Sequence, residues 1–386
     1  MAGMVRMSRV VVAGALALAV SLGLTGCGAF FSCEGKTDCP VTTTPTSSGD
    51  YAYVANTTGT TSQIAAYELS TGTPLVVTGS PFTLDFVPNA MVVTPDNTLM
   101  FVSSPANGAI YAFTIAADGA LSSANGGEAV DNEAADAMDI TPDGKYLFVL
   151  VATGQVAIVT EFAITATTGV LTAPTDSTLT IGPPSNVSAT AIKVAPSGDF
   201  VVIALGSAGD DVIPLSSDLF ANATTQPITF NLTGIGDYGI AVDSNNNIYF
   251  ARTGQVAVYS ATPAGLPTPI TNTAANSDTG AADYSIVLSS SDAFVYTGNA
   301  GNTSAASSIS GFSNASGTLA PLSGSPYGAP NSVANIALDS TGKYIVAAGL
   351  GTGGFKEYTI GSSGVLTAAS TTESTGTTAS LMAVTH

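Results

Sequence analysis

The chain has 386 residues, with 27 acidic and 8 basic side chains, one histidine and a formal charge of -19 at pH 7. So acidic a surface repels nucleic acid, anionic lipid and phosphorylated substrates, and leaves cations, neutral glycans or a basic protein face as partners. With 41 Gly, 20 Pro and 9% charged residues, and with Thr, Ser, Ala and Val where a helical protein carries Glu, Lys and Leu, the composition is that of an all-β protein.

At the N-terminus, Arg6 and Arg9 precede the apolar run Val10 to Val20, and Leu24-Thr25-Gly26-Cys27 closes the segment. The run is too short and too rich in Gly and Ala for a membrane span, and reads as a signal peptide over residues 1–26. The Leu-Thr-Gly-Cys stretch resembles the lipobox of bacterial lipoproteins; an ordinary signal peptide with an incidental cysteine is the alternative. The resemblance implies cleavage before Cys27, diacylglyceryl attachment to its sulfur and acylation of the new amino group, for instance with palmitate. Several acyl chains anchor stably where one is marginal. Gly28 in place of an aspartate implies, by analogy with enteric bacteria, sorting to the outer membrane of the bacterial cell envelope.

Residues 27–49 then form the lipidated cysteine and its tether. Cys33 and Cys39 are close enough to shut a small loop, and in an oxidising compartment a disulfide is expected there. Pro40 to Gly49 is Thr/Ser/Pro-rich and reads as a flexible linker.

From residue 50 to 386 a unit of about 49 residues recurs, the period of a propeller blade. It begins with an apolar strand and a turn: Met91 to Asp96, Met138 to Tyr146, Ile192 to Gly198, then Ile240 to Ser244, Ile286 to Ser290 and Ile336 to Tyr344. Met91, Met138, Ile192, Ile240, Ile286, Ile336 and Met382 correspond, as do Val93, Ile140, Val194, Val242, Leu288, Leu338 and Val384 two positions later. Period 2 places both sets on one face of a strand. Pro-Asp-Asn, Pro-Asp-Gly-Lys and Pro-Ser-Gly are hairpin chemistry, a preset φ followed by residues that tolerate positive φ.

The first unit, starting at Tyr51, lacks its inner strand, and the chain ends on Leu381 to His386, which aligns with Ala90 to Pro95. Six internal inner strands plus this orphan predict seven four-stranded blades, the ring closed by the C-terminal strand pairing with the N-terminal blade.

Tyr53-Val54-Ala55-Asn56 followed by Ile64 to Tyr67, and Thr141 to Val149 followed by Glu161 to Ile164 and Thr168 to Leu171, resemble the YVTN and lactonase-type seven-bladed propellers. These include the propeller form of 6-phosphogluconolactonase. The resemblance implies the fold and, more remotely, hydrolysis of a sugar lactone or other small cyclic ester.

Candidate chemistry is sparse. The only histidine is His386, at the turn position of Pro95 and Pro142, so no Ser-His-Asp triad or multi-histidine metal site is available. Asn89, Asp136, Asp237 and Asp283 lie at or just before the start of inner strands, where a propeller gathers them at one mouth of its channel. Such oxygens hold a ligand or a Ca²⁺, or cap loop ends. Asp139 and Lys193, equivalent on adjacent blades, are expected to form a channel ion pair. Asp243 to Asn247 resembles a calcium loop without its Gly and Glu, and is explained by its hairpin. The segments Asn272 to Asp283 and Ala300 to Ser308 are candidate contact surfaces. The expectation is a monomeric envelope lipoprotein that binds or scaffolds, with a lactonase as the alternative.

Overall fold

In the computed structural model the described residues are 49–58, 61–69, 74–182, 187–216, 219–220, 227–230, 236–262, 265–270, 283–301, 306–369 and 379–386. Cys27, Cys33 and Cys39 lie outside them, as do residues 272–282 of one candidate contact segment and 302–305 of the other.

The repeats fold as seven antiparallel sheets. Their inner strands are Ala379–Val384, Ala90–Val93, Ala137–Ile140, Ala191–Val194, Asp237–Val242, Asp283–Leu288 and Val333–Leu338. Each inner strand contacts the next all the way round, so the sheets stand radially about a central channel. Several outer strands are broken in two; in the third blade Leu171–Thr172 and Thr178–Ile181 both pair with Ala157–Ile164.

Inner strands put apolar side chains into the seams on both sides, as the repeat implies, with Asp139 and Lys193 among the exceptions. Met138 and Ile140 face the seam behind them, with Phe101, Ile110 and Leu147. Ala137, one residue out of phase, packs on the seam ahead with Phe148 and Val194. The same division gives seven core clusters, one per seam between neighbouring blades. At about 1.5–3 kcal/mol for each large apolar side chain buried, the seams carry the hydrophobic stabilisation.

The inner hairpins share one device. Asn97, Gly144, Gly198, Asn246, Asp292 and Gly342 occupy the same turn position, and all have positive φ. In the second blade Thr94 Oγ1 donates to Asp96 Oδ1 at 2.6 Å and accepts from the Leu99 amide at 3.0 Å. Asp243 works likewise: its carboxylate takes the amides of Asn245 and Asn247, the Asn247 amide group and the Tyr249 hydroxyl. That stretch is turn structure.

Closure joins the two ends of the propeller sequence. Ala379–Val384 pairs antiparallel with Tyr51–Thr58, Val384 lying opposite Ala52. The Tyr51 amide donates to Thr385 Oγ1 at 2.8 Å, and the Thr385 amide returns a bond to the Tyr51 carbonyl at 3.0 Å. His386 continues into the second blade, where its amide and carbonyl both bond the Asn97 carboxamide at 2.8 Å.

The seam between the seventh and first blades also buries Asp50, Asp339 and Glu357. Burial, followed by the charges of Asp339 and Asp50, pushes the Glu357 carboxyl up to about 7 from its ordinary 4.5. A raised value means that the native state holds this proton more tightly than the unfolded chain. The associated stability is complete below pH 4.5 and is lost as pH rises through about 7.

Two measurements check this closure. Deleting 379–386 removes the inner strand of the first blade and opens two edges, and should lower the melting temperature by more than about 10 °C; an unchanged transition would contradict the pairing. The urea midpoint of the intact chain should fall between pH 5 and pH 8.5, and Glu357→Gln should flatten that fall; an equal slope in both proteins would refute the assignment.

Candidate functional site

Neighbouring inner strands run parallel and in register. The Val194 amide donates to Asp139 Oδ2 at 2.7 Å, and the Ile336 amide to Ser285 Oγ at 3.2 Å. All inner strands therefore begin at one mouth of the channel and end at the other.

At the entry mouth the channel holds a cavity of about 220 Å³. Its wall is methyl and thioether, with Met91, Met138, Ile192 and Met382 among the lining, and Asn89, Asp136 and Asn335 supply the polar groups. Asn89 and Asp136, both half-buried, meet here. Asn89 Nδ2 lies 3.2 Å from the Ala135 carbonyl and 3.5 Å from Asp136 Oδ1. The other carboxylate oxygen of Asp136 accepts the Ala152 amide at 2.8 Å, which fixes its orientation.

Asp237 starts its inner strand at the same level but is committed elsewhere. Arg252, opposite it in the hairpin, grips it with two bonds, Nε to Oδ1 at 2.7 Å and Nη2 to Oδ2 at 2.8 Å. Asp237 is 0% and Arg252 4% exposed. Burial works against the guanidinium charge, but Asp237 outweighs it and holds Arg252 above its ordinary value. A buried bidentate pair of this kind positions the mouth; both charges are already spent. Asp283 occupies the matching backbone position in the next blade, opposite Asn299. Its side chain lies outside the described atoms. Calcium takes about 6–8 oxygens. Among the described residues no three His, Cys, Asp or Glu side chains converge as a metal site.

Two aromatic side chains join the mouth. Pairing slips by one residue between Asp237 and Gly239 and between Asp283 and Ser285, so Tyr238 and Tyr284 are the extra residues of β-bulges. Bulges re-aim side chains. These two rings meet edge to face, centroids 5.4 Å apart at 63°, with Tyr284 41% exposed. Tyrosine following aspartate at the head of two successive inner strands was the sequence signal for them.

The exit mouth carries charge. Lys193 Nζ lies 3.1 Å from Asp139 Oδ2, and the lysine is the more exposed partner. His386 stands beside them, with Nε2 3.2 Å from the Val93 carbonyl. The residue is solvent-exposed as a whole, yet its ring is lodged against protein. Burial of the ring, aided by the Lys193 charge, holds its imidazole below the ordinary value against the pull of Val93 and Asp139. Aligning His386 with Pro95 placed it at a turn, and that alignment also put it two blades from the Asp139 strand, with the Ala90–Val93 strand between them.

No protein-family model matches the sequence, and no curated protein matches it. Solved structures do resemble the fold. A candidate 6-phosphogluconolactonase from Bacteroides uniformis superposes with a TM-score of 0.69 at 17% identity, over 87% of this chain and 99% of its own. The periplasmic gluconolactonase of Pseudomonas aeruginosa gives 0.66 at 15% identity, over 88% and 99%. A protein from Lactobacillus plantarum gives 0.66 at 14%, over 87% and 99%. At such identities the likeness speaks for architecture, and this chain is a seven-bladed β-propeller built like these lactonase-named proteins.

Proposed function

We propose that the chain is an envelope-anchored propeller that binds a small neutral ligand at the entry mouth of its channel without turning it over. The state of the carboxylates carries this reading. Asp237 is neutralised by Arg252, Asp139 by Lys193 and the Val194 amide, and Asp136 is held by the Ala152 amide. What faces the cavity is a thioether and methyl wall with amide and carboxylate acceptors at its rim. That is the make-up of a binding pocket, apolar with a few placed polar groups. The acidic surface disfavours a phosphorylated ligand and suits a neutral glycan or a basic face of an envelope protein.

The anchor belongs to the same reading. Acylated at Cys27, the mature protein would hang from the outer membrane on the 27–49 tether as a monomer, with Cys33 and Cys39 joined.

The lactonase reading is the alternative. The names of two structural neighbours favour it, and so does Asp136, whose Oδ1 is loosely held and could take a proton from attacking water.

A pH-stat assay of the purified chain against sugar and aliphatic lactones, with Ca²⁺ and with chelator, separates the two. The expected result is no acid release above background. Turnover that disappears in Asp136→Asn would replace the binding reading with the lactonase. For the anchor, labelled palmitate should enter the wild type, and Cys27→Ala should lose the label and leave the membrane fraction; a labelled Cys27→Ala protein would refute lipidation there.

A further inference from the structure

A second cavity, of about 210 Å³, opens between the outer parts of the first and second blades, remote from the channel residues. One wall comes from the outer strand Phe82–Leu84 and the segment that follows it, the other from strand Ala109–Ile115 and its neighbours. Its floor is aromatic. Phe86 and Tyr111 stack with centroids 4.3 Å apart and planes 13° from parallel. Phe86 is 7% exposed, so its ring serves as backing, while Tyr111 is only half-buried.

The rim is polar and largely unspent. Asn107 Nδ2 donates to the Tyr111 hydroxyl at 2.9 Å, which leaves the phenol proton and Asn107 Oδ1 available. Asp85, exposed on the opposite wall, makes no side-chain hydrogen bond or ion pair among the described residues. The hydroxyls of Thr83 and Ser123 stand beside it in the same condition. A flat aromatic wall flanked by a carboxylate, an amide oxygen and several hydroxyls matches one class of small molecule. A pyranose ring has a C–H face that lies on an aromatic surface and equatorial hydroxyls that both donate and accept at its edge.

We propose that this inter-blade cleft is a saccharide site that takes one neutral pyranose unit, with Tyr111 as its platform and Asp85 and Asn107 as its hydroxyl partners. The size agrees, because the cavity falls below the ~300–1,000 Å³ of pockets for drug-sized ligands and admits about one ring. An alkylammonium is the rival for an aromatic site with a carboxylate. It requires ring faces around the cation, whereas here the two rings are parallel and stacked on each other, which offers a flat wall instead of a cage. The site is independent of the channel, and its occupancy does not depend on the channel reading.

Saturation-transfer NMR on the full chain tests it, with a panel of methyl glycosides (gluco, galacto, manno and N-acetylglucosamine) and with choline as the rival. Transfer to the ring protons of at least one glycoside is expected. To take the channel carboxylate out of the readout, the comparison is made in an Asp136→Asn background; there Asp85→Asn and Tyr111→Phe each leave the packing intact and should weaken the transfer about tenfold, and Tyr111→Ala should abolish it. Absence of transfer from every glycoside overturns the proposal. So does transfer that survives both Asp85→Asn and Tyr111→Ala in that background, transfer absent from the Asp136→Asn background itself, or preferential binding of choline.

Discussion

The inner strands of this protein bury apolar side chains in a seam on either side, and that constraint governs the rest. A sheet with one wet face can sit at the edge of a domain, but a sheet whose inner strand buries Met138 and Ile140 on one side and Ala137 on the other needs a neighbour on each. Repeated without interruption, the requirement has no end short of a closed ring. Closure here is made by a strand from the far end of the chain, with Thr385 and Tyr51 exchanging hydrogen bonds. Because neighbouring inner strands are parallel and in register, their first residues are delivered to one mouth and their last to the other. The site geometry is thus a by-product of seam packing.

Much of the fold was legible because it is written as a period. Corresponding apolar positions, a shared turn and one orphan strand were enough to give blade number and closure. The turn residues were readable for a local reason: the fourth position of the hairpin needs positive φ, and Asn97, Gly144, Gly198 and Gly342 meet that need visibly. Asp292 meets it too, less recognisably.

The site was less legible, since a period says where a side chain starts and not what satisfies it. Asp136 and Asp237 look alike in the repeat. One is held by a backbone amide at the cavity, while the other is buried under Arg252. Counting outward from the Asp243 to Asn247 turn would have placed Tyr238 opposite Arg252; only the register shift before Gly239 brings Asp237 there. The bulges that carry Tyr238 and Tyr284, and with them the Asp237–Arg252 pairing, were not legible, because a one-residue slip leaves the apolar alternation downstream unchanged. The cleft at Phe86 and Tyr111 lies off the period altogether, between an interblade segment and the flank of the next blade.

Closure also bears on how the protein is made. The residues it joins are 334 positions apart, so the first blade has no inner strand until the last residues of the chain are present. A polypeptide synthesised N-terminus first must therefore wait, with the edge of Tyr51–Thr58 unpaired, while six further blades arrive. That edge is a template for any strand that reaches it first. The need for a chaperone thus falls on the beginning of this chain and the moment of rescue at its end.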